Sequence, residues 1–236
     1  MLPDLLKAFQ GLDQSERRQK LKDDGYEVLR RGHLCSVYHK PDSDVVLRIS
    51  MRPDTAELTC RHFMKHAANP YIPHIYSESR IGGGKHISVM EKLISIEELA
   101  ESDEDFVFGM ARAIATFPFG DKRHDEAHEE LAKDVNFMAA TRAIINCAME
   151  SFYDLADNDE CLFPDRDVAN IMFRRENGIL HPVLVDTLTY TTPSNELASE
   201  FDNIISRLRK LEFAQYQQGV VLGSQVVGLK KGPPVS

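Results

Sequence analysis

From Gly25 onward, apolar and polar positions exchange in short runs. Residues 26–29 alternate, residues 34–38 are strand-like, and residues 45–49 form an apolar strand with one charge, Arg48, inside it. The runs break at Arg30-Arg31-Gly32-His33 and at Lys40-Pro41-Asp42-Ser43-Asp44, the second rich in turn formers. Three short strands with tight turns predict an antiparallel meander. Residues 54–68 then take a helical pattern, with Pro53 at the entry and Asn69-Pro70 at the exit. Residues 75–81 and 86–90 return to strand, joined across Gly82-Gly83-Gly84-Lys85. The order is three strands, a helix and two strands.

Between residues 91 and 95 strands give way to helices. Ser95 is placed to cap a helix beginning Ile96-Glu97-Glu98-Leu99, and residues 106–117 predict a second helix. Residues 125–155 predict one long core helix, on the spacing of Leu131, Val135, Met138, Ile145, Ala148, Met149 and Phe152. Residues 195–211 are amphipathic behind Pro193-Ser194. Ahead of the strands, residues 2–24 predict two short helices, the second strongly polar and capped by Asp13, as a surface extension. The expected organisation is an extension (1–24), a strand-rich lobe (25–93), a helical lobe (94–211) and a loosely attached tail (212–236).

Composition narrows the classes. The chain of 236 residues has 42% hydrophobic and 28% charged residues, ordinary for a globular protein. No apolar run approaches the ~20 residues of a membrane span, and the first residues lack a basic-then-apolar leader, so a cytoplasmic location without a membrane is expected. Cys35, Cys60, Cys147 and Cys161 have no paired spacing, which favours reduced thiols. The net charge of −9 argues against nucleic acid as a direct partner.

The chemistry concentrates late in the chain. Asp165 is followed five residues on by Asn170, then by an apolar strand, a polar turn, and the strand Val183-Leu184-Val185 ending in Asp186. One Asp there can accept a proton from an attacking hydroxyl, while an amide and a second carboxylate supply hard oxygen ligands for Mg²⁺. Asp167 reads as solvated. Across the predicted cleft, Gly32 permits close backbone approach to a bound group, with His33 and Ser36 as hydrogen-bond donors to phosphate. Arg48, on the same strand face as Val46, is the cation for the α- and β-phosphates. Glu57, the acidic residue in the middle of the following helix, is its expected partner. Glu91, at the strand-to-helix junction, is a further nucleotide-contact candidate.

These motifs resemble the protein-kinase-like fold. The residues are Leu29-x-x-Gly32-His33-Leu34-x-Ser36-x-Tyr38, Val46-Leu47-Arg48-Ile49, Ile72-Pro73-His74-Ile75-Tyr76 and Asp165-x-x-x-x-Asn170-Ile171-Met172-Phe173 with Asp186. Within that fold the chain is most similar to the early serine/threonine protein kinase of T-odd coliphages and their relatives. The resemblance implies an α+β, two-lobed fold with a five-stranded antiparallel N-lobe and a minimal helical C-lobe. It implies ATP and Mg²⁺ as cofactors, Asp165 as catalytic base, Asn170 and Asp186 as metal ligands, and Arg48 in place of the usual phosphate-binding Lys. It also implies host protein substrates in the bacterial cytoplasm, including transcription and RNA-processing machinery. The departures are Arg30 and Cys35 at lid positions usually held by glycine, Phe163-Pro164 before the Asp, and Thr187-Leu188 after Asp186. Fifty residues follow Asp186, too few for a long activation segment and a full large lobe. Two alternatives stand beside this reading: a pseudokinase or inhibitory binding protein acting on a host factor, and a small-molecule phosphotransferase.

Overall fold

The computed structural model describes residues 2–32, 35–50, 53–81, 85–154, 161–185 and 188–217. Two helices, α1 (Leu2–Ala8) and α2 (Gln14–Asp23), lead into a five-stranded sheet. Asp13 caps α2 by accepting from the Glu16 N–H at 2.9 Å, while the Glu16 carboxylate accepts from the Asp13 N–H at 2.7 Å. The sheet comprises β1 (Glu27–Arg31), β2 (Cys35–His39), β3 (Val45–Ser50), β4 (Ile75–Ile81) and β5 (Lys85–Glu91), with α3 (Pro53–Lys65) inserted after β3. Its order is β1-β2-β3-β5-β4 and every pairing is antiparallel. The strand-rich lobe is thus the one the polarity pattern predicts.

Period-two alternation gives this sheet two different faces. On β3, Leu47 faces one way and packs with Tyr38, Ile87 and Val89. Leu5 of α1, Phe9 just after it and Leu21 of α2 cover that face. The extension expected at the surface therefore closes a second core, because its few apolar residues fall on the side toward the sheet. On the opposite face, Val46 joins the main core with Cys60, Phe63, Ile72 and Met90, a core that continues into the helical lobe.

The second lobe contains α4 (Ile96–Thr116), α5 (Asp125–Lys133), α6 (Val135–Asp154) and α7 (Asn195–Gln217). It also carries two small antiparallel pairs, β6 (Cys161–Pro164) with β9 (Leu188–Thr191), and β7 (Ile171–Glu176) with β8 (Ile179–Leu184). Asn177 and Gly178 turn the β7–β8 hairpin with φ of 52° and 80°, the two left-handed residues such a turn requires. The arrangement is α+β and two-lobed, with a small helical C-lobe, as expected.

Three boundaries differ from the sequence expectation. Residues 96–116 form one helix rather than two, since Ser95 and Glu98 form a capping box and no breaker intervenes. The long helix expected over residues 125–155 is broken at Asp134, whose backbone is extended (φ −80°, ψ 110°). Its carboxylate accepts from the Asn136 and Phe137 N–H groups at 2.8 and 3.2 Å and from the Tyr71 hydroxyl at 2.6 Å. That side chain starts α6 and ties it to the loop before β4, so one apolar stripe spans two helices. Finally, α7 runs on to Gln217, past residue 211.

Candidate active site

The strand β6 is buried along its length, with Phe163 edge-on to Phe201 of α7 at 5.0 Å between ring centroids. The Leu162 N–H donates to Ser151 Oγ of α6 at 3.0 Å. This explains Phe163-Pro164 before the Asp: the strand is a core element, and Asp165 is the first residue to emerge from it. Asp165 Oδ1 then accepts from the Asp167 N–H at 3.0 Å, and Asp167 Oδ1 accepts from the Ala169 N–H at 2.9 Å. These successive side-chain turns wind residues 168–170 into a single 3-10 turn. At its end Asn170 Nδ2 donates to Asp165 Oδ2 at 3.0 Å. The Val185 N–H donates to the Asn170 carbonyl at 3.0 Å, locking the loop to the end of β8. Asp167 is therefore a structural cap as well as an exposed carboxylate.

Asp165 and Asn170 lie on one side of a cavity of about 770 Å³ between the lobes. The opposite wall is β3 and its neighbours: Val37, Val46, Arg48 and Ser50. Alternation on β3 turns Arg48 to the cavity along with Val46 and Ser50, as the apolar-strand pattern predicts, and Arg48 Nη1 donates to Ser50 Oγ at 2.9 Å. Leu29, Arg30, Gly32 and Cys35 border the same space, and Glu97 and Glu98 at the start of α4 face them. The Glu97 carboxyl is held below its ordinary range by its own backbone N–H and the Ser95 hydroxyl, and then by the charge of Arg30. Arg30 and Glu97 thus approach each other from opposite lobes.

The predicted residues do not all converge. Asp165, Asn170, Arg48, Gly32 and Glu91 border the cavity. His33 and Asp186 lie outside the described residues. Ser36 does not border the cavity: Cys35 and Val37 do, so alternation sends Ser36 to the other side of β2, opposite Ile49. Glu57 is not the partner expected for Arg48. Its carboxylate pairs with Arg80 of β4 and with Arg61 one helical turn on, at 2.9 Å. The hydrogen bond from Arg80 is the main reason its carboxyl lies low. The physical cause is that α3 packs against β4 and β5, so this residue points along the sheet rather than into the cleft. Gly32 has no left-handed backbone, and a Cβ there would meet the Cys35 carbonyl at an ordinary 3.5 Å. It borders the cavity without a special torsion.

Glu91 borders the cavity, but its carboxylate is committed elsewhere. It accepts from Arg174 Nε of β7 at 2.8 Å, from Arg174 Nη2, and from the His74 N–H at 2.7 Å. Its carboxylate joins β5 to β7 and to the loop before β4. Its partner Arg174 is the residue sequence reasoning missed. The visible signal was an Arg in the Met172-Phe173-Arg174 strand, the mirror of Arg48 in its own apolar strand.

No protein-family model matches the chain, and no curated protein matches it. Among solved structures it is similar to the aminoglycoside phosphotransferase APH(4)-Ia, at 13% identity over 89% of this chain and 86% of that one, with a TM-score of 0.37. It is similar to a microcompartment-associated aminopropanol kinase at 12% identity over 87% and 81%, with a TM-score of 0.38. It is also similar to a chain of the CAK complex from Chaetomium thermophilum bound to ATP-gamma-S, at 16% identity over 78% and 52%, with a TM-score of 0.37.

Proposed function

We propose that the chain is an ATP-dependent phosphotransferase whose acceptor is a serine or threonine hydroxyl of a protein. The observation that carries this is the hydrogen-bonded pair Asp165–Asn170 facing Arg48 across the interlobe cavity. A carboxylate fixed by an amide and by a backbone N–H is positioned to take a proton from an acceptor hydroxyl. A guanidinium on the opposite wall suits the bidentate geometry of phosphate oxygens. The cavity of about 770 Å³ falls within the ordinary range of ligand sites.

The donor set fits a divalent cation only in part. Among the described residues no three His, Cys, Asp or Glu side chains gather to hold a metal. Asn170 offers an amide oxygen beside Asp165, hard donors of the kind Mg²⁺ takes, and Mg²⁺ accepts few protein ligands when phosphate oxygens complete its shell. Asn170 with Asp186 would hold it, and bound there it would neutralise charge on the transferring phosphoryl group. The work of this chain's own residues is positioning: Asp165 orients the hydroxyl and accepts its proton, and Arg48, steadied by Ser50, fixes the phosphates.

The likeness to phage early kinases rests on the sequence motifs, and host proteins as acceptors belong to the same proposal. Incubation with γ-labelled ATP and Mg²⁺ in bacterial lysate, wild type beside Asp165→Asn, tests it. Labelled protein bands that vanish in the variant are expected, and equal labelling by both would overturn the assignment of Asp165. A second reading takes a small molecule as acceptor. It is favoured by the short passage from β9 to α7, residues 192–194, which leaves no span there for a peptide-docking segment. Transfer to alcohol or aminoglycoside acceptors, with lysate proteins unlabelled, would select it.

A further inference from the structure

Asp165 stands between two side chains, one buried and one largely exposed, that end on the same scaffold. Phe163 lies 6.3 Å from Phe119 and 5.0 Å from Phe201 between ring centroids. Arg166 sets its guanidinium carbon 3.9 Å over the centre of the Phe119 ring, and its Nη2 donates to the Glu200 carboxylate. Phe119 belongs to the single 3-10 turn that follows α4, residues 117–119, while Glu200 and Phe201 are successive residues of α7. α7 also holds that turn directly, through Arg207 Nε, which donates to the Phe117 carbonyl at 3.2 Å.

Neither contact of Arg166 adds much to folding by itself. Its side chain is 59% exposed and that of Glu200 39%, so water and salt weaken the ion pair, and a cation over a ring at the surface is a modest attraction. Their value is geometric. Asp165 and Arg166 share one planar peptide unit, so pinning the Arg166 side chain from two different elements restricts the torsions on either side of that plane. The bond from the Asp167 N–H to Asp165 Oδ1, 3.0 Å, closes a turn whose middle residue is Arg166. Holding the middle of the turn keeps that bond made, and the bond decides where the rest of the Asp165 carboxylate points.

We propose that Arg166 is a positioning residue: held by Phe119 and Glu200, it fixes the turn that aims the Asp165 carboxylate at the acceptor hydroxyl. Its effect on rate rests on the phosphotransferase reading above, while its effect on the turn does not. Arg166, Phe119 and Glu200 stand outside the cavity itself. α7 thus shapes the reacting end of the cleft from behind, through one exposed side chain on the residue next to Asp165.

The test compares the full wild-type chain with Arg166→Ala, Arg166→Lys and Glu200→Gln. It measures transfer from γ-labelled ATP with Mg²⁺ to acceptors in bacterial lysate over a series of ATP concentrations, exchange of the Asp167 amide hydrogen by NMR, and the urea unfolding midpoint. Arg166→Ala should lower the rate at saturating ATP roughly 3- to 10-fold, the range that two exposed contacts of this kind can supply, with the ATP concentration for half-maximal rate changed by less than about twofold. Its Asp167 amide should exchange faster by a similar factor. Arg166→Lys keeps a charge above the ring but loses the fork, and Glu200→Gln keeps the stack but loses the ion pair, so both should fall between wild type and Arg166→Ala. An unchanged rate at saturating ATP with unchanged Asp167 exchange overturns the proposal and leaves the phosphotransferase reading intact. A rate lowered only through a higher ATP requirement overturns it too, because that marks a nucleotide contact. A shift confined to the urea midpoint marks a surface pair that serves folding alone, and likewise overturns it. Absence of any transfer by wild type overturns the phosphotransferase reading, and the effect on rate with it; faster Asp167 exchange in Arg166→Ala still supports the hold on the turn, and unchanged exchange removes that as well. Arg166→Lys and Glu200→Gln keep the result decisive if Arg166→Ala does not fold.

Discussion

Glu91 of β5 and Arg174 of β7 form a buried, two-pronged ion pair where the two lobes join, each with a side chain only 9% exposed. The guanidinium also donates to the Pro70 and Ile72 carbonyls at 2.8 and 3.0 Å, closing the loop between α3 and β4. One residue before it, Phe173 exchanges two backbone hydrogen bonds of 2.8 Å with Ile94. One short strand of the helical lobe thus grips the end of the sheet through both backbone and side chain. The pair joins β5, which neighbours the strand bearing Arg48, to β7, which follows the loop bearing Asp165 and Asn170.

Breaking that pair from one side strands a buried charge. Arg174→Met should destabilise the protein by about 3–5 kcal/mol, and Glu91→Gln by a similar amount, because it leaves the Arg174 charge unpaired and turns an NH2 donor toward donors. The double variant Glu91→Met with Arg174→Met should recover part of the loss, since neither charge is then left alone. Urea unfolding midpoints of the four proteins measure this. A single Arg174→Met variant as stable as wild type would show that the pair does not hold the hinge.

In the proposed phosphotransfer, Asp165→Asn keeps the shape and removes the group assigned to accept the proton. Its kcat should fall by about 10²- to 10⁴-fold with little change in KM for ATP. Asn170→Ala removes the amide that holds Asp165 and an oxygen donor for the cation. It should raise the Mg²⁺ concentration giving half-maximal rate, which Asp165→Asn should leave nearly unchanged. Initial rates over a Mg²⁺ series separate the two roles.

In the proposed phosphotransfer, Arg48 holds the phosphates of ATP. Losing a charge-assisted hydrogen bond of about 1.5–3 kcal/mol should raise KM for ATP by roughly 10- to 100-fold in Arg48→Ala. Arg48→Lys should recover only part of this, since an ammonium lacks the planar fork. Ser50→Ala should show a smaller rise, through a guanidinium that is less fixed. Isothermal titration with a non-hydrolysable ATP analogue at saturating Mg²⁺ checks the order Ala, Lys, Ser50→Ala, wild type from weakest to tightest.

The strand-rich lobe was legible because its signal is local: period-two runs such as residues 45–49 and turn formers such as Lys40-Pro41-Asp42 are properties of a few neighbours. Asp165 and Asn170 were legible as candidate residues for the same reason, lying only five residues apart, although their hydrogen bond to each other was not foreseen. What escaped depended on distant partners. Glu57 has the spacing of a cleft residue but finds Arg80, because the packing of α3 on β4 is a tertiary fact. Ser36 lies one residue from the cavity, and a single step along a strand reverses its face. The break at Asp134 hides inside a continuous apolar stripe, and the hydroxyl of Tyr71 that helps to fix it lies 63 residues away. The Glu91–Arg174 pair joins residues 83 apart, which no spacing rule reaches.

His128 of α5 supplies a pH dependence unconnected with catalysis. It is buried, its Nε2 lies 2.9 Å from the Ala113 carbonyl and 3.3 Å from Thr116 Oγ1, and its Nδ1 lies 3.5 Å from Arg207 Nη2 of α7. The neutral ring fits these neighbours with Nε2–H donating to Ala113 and Nδ1 facing the guanidinium. Protonation would set a second N–H against Arg207. Burial lowers its pKa, the Ala113 carbonyl opposes that shift, and the charges of Arg207 and His124 add to it, with Asp125 acting in the other direction. The unfolded chain therefore takes up a proton near pH 6.5 while the folded chain does not. Stability from this group is complete above about pH 6.5 and declines as pH falls toward the lowered folded value, at up to about 1.4 kcal/mol per pH unit. Urea unfolding at pH 7.5, 6.5 and 5.5 should show this decline in the wild type. His128→Gln keeps a donor for Ala113 and cannot titrate, so it should be less stable at pH 7.5 yet show a flatter profile below pH 6.5. Equal slopes for the two proteins would show that His128 does not couple folding to pH.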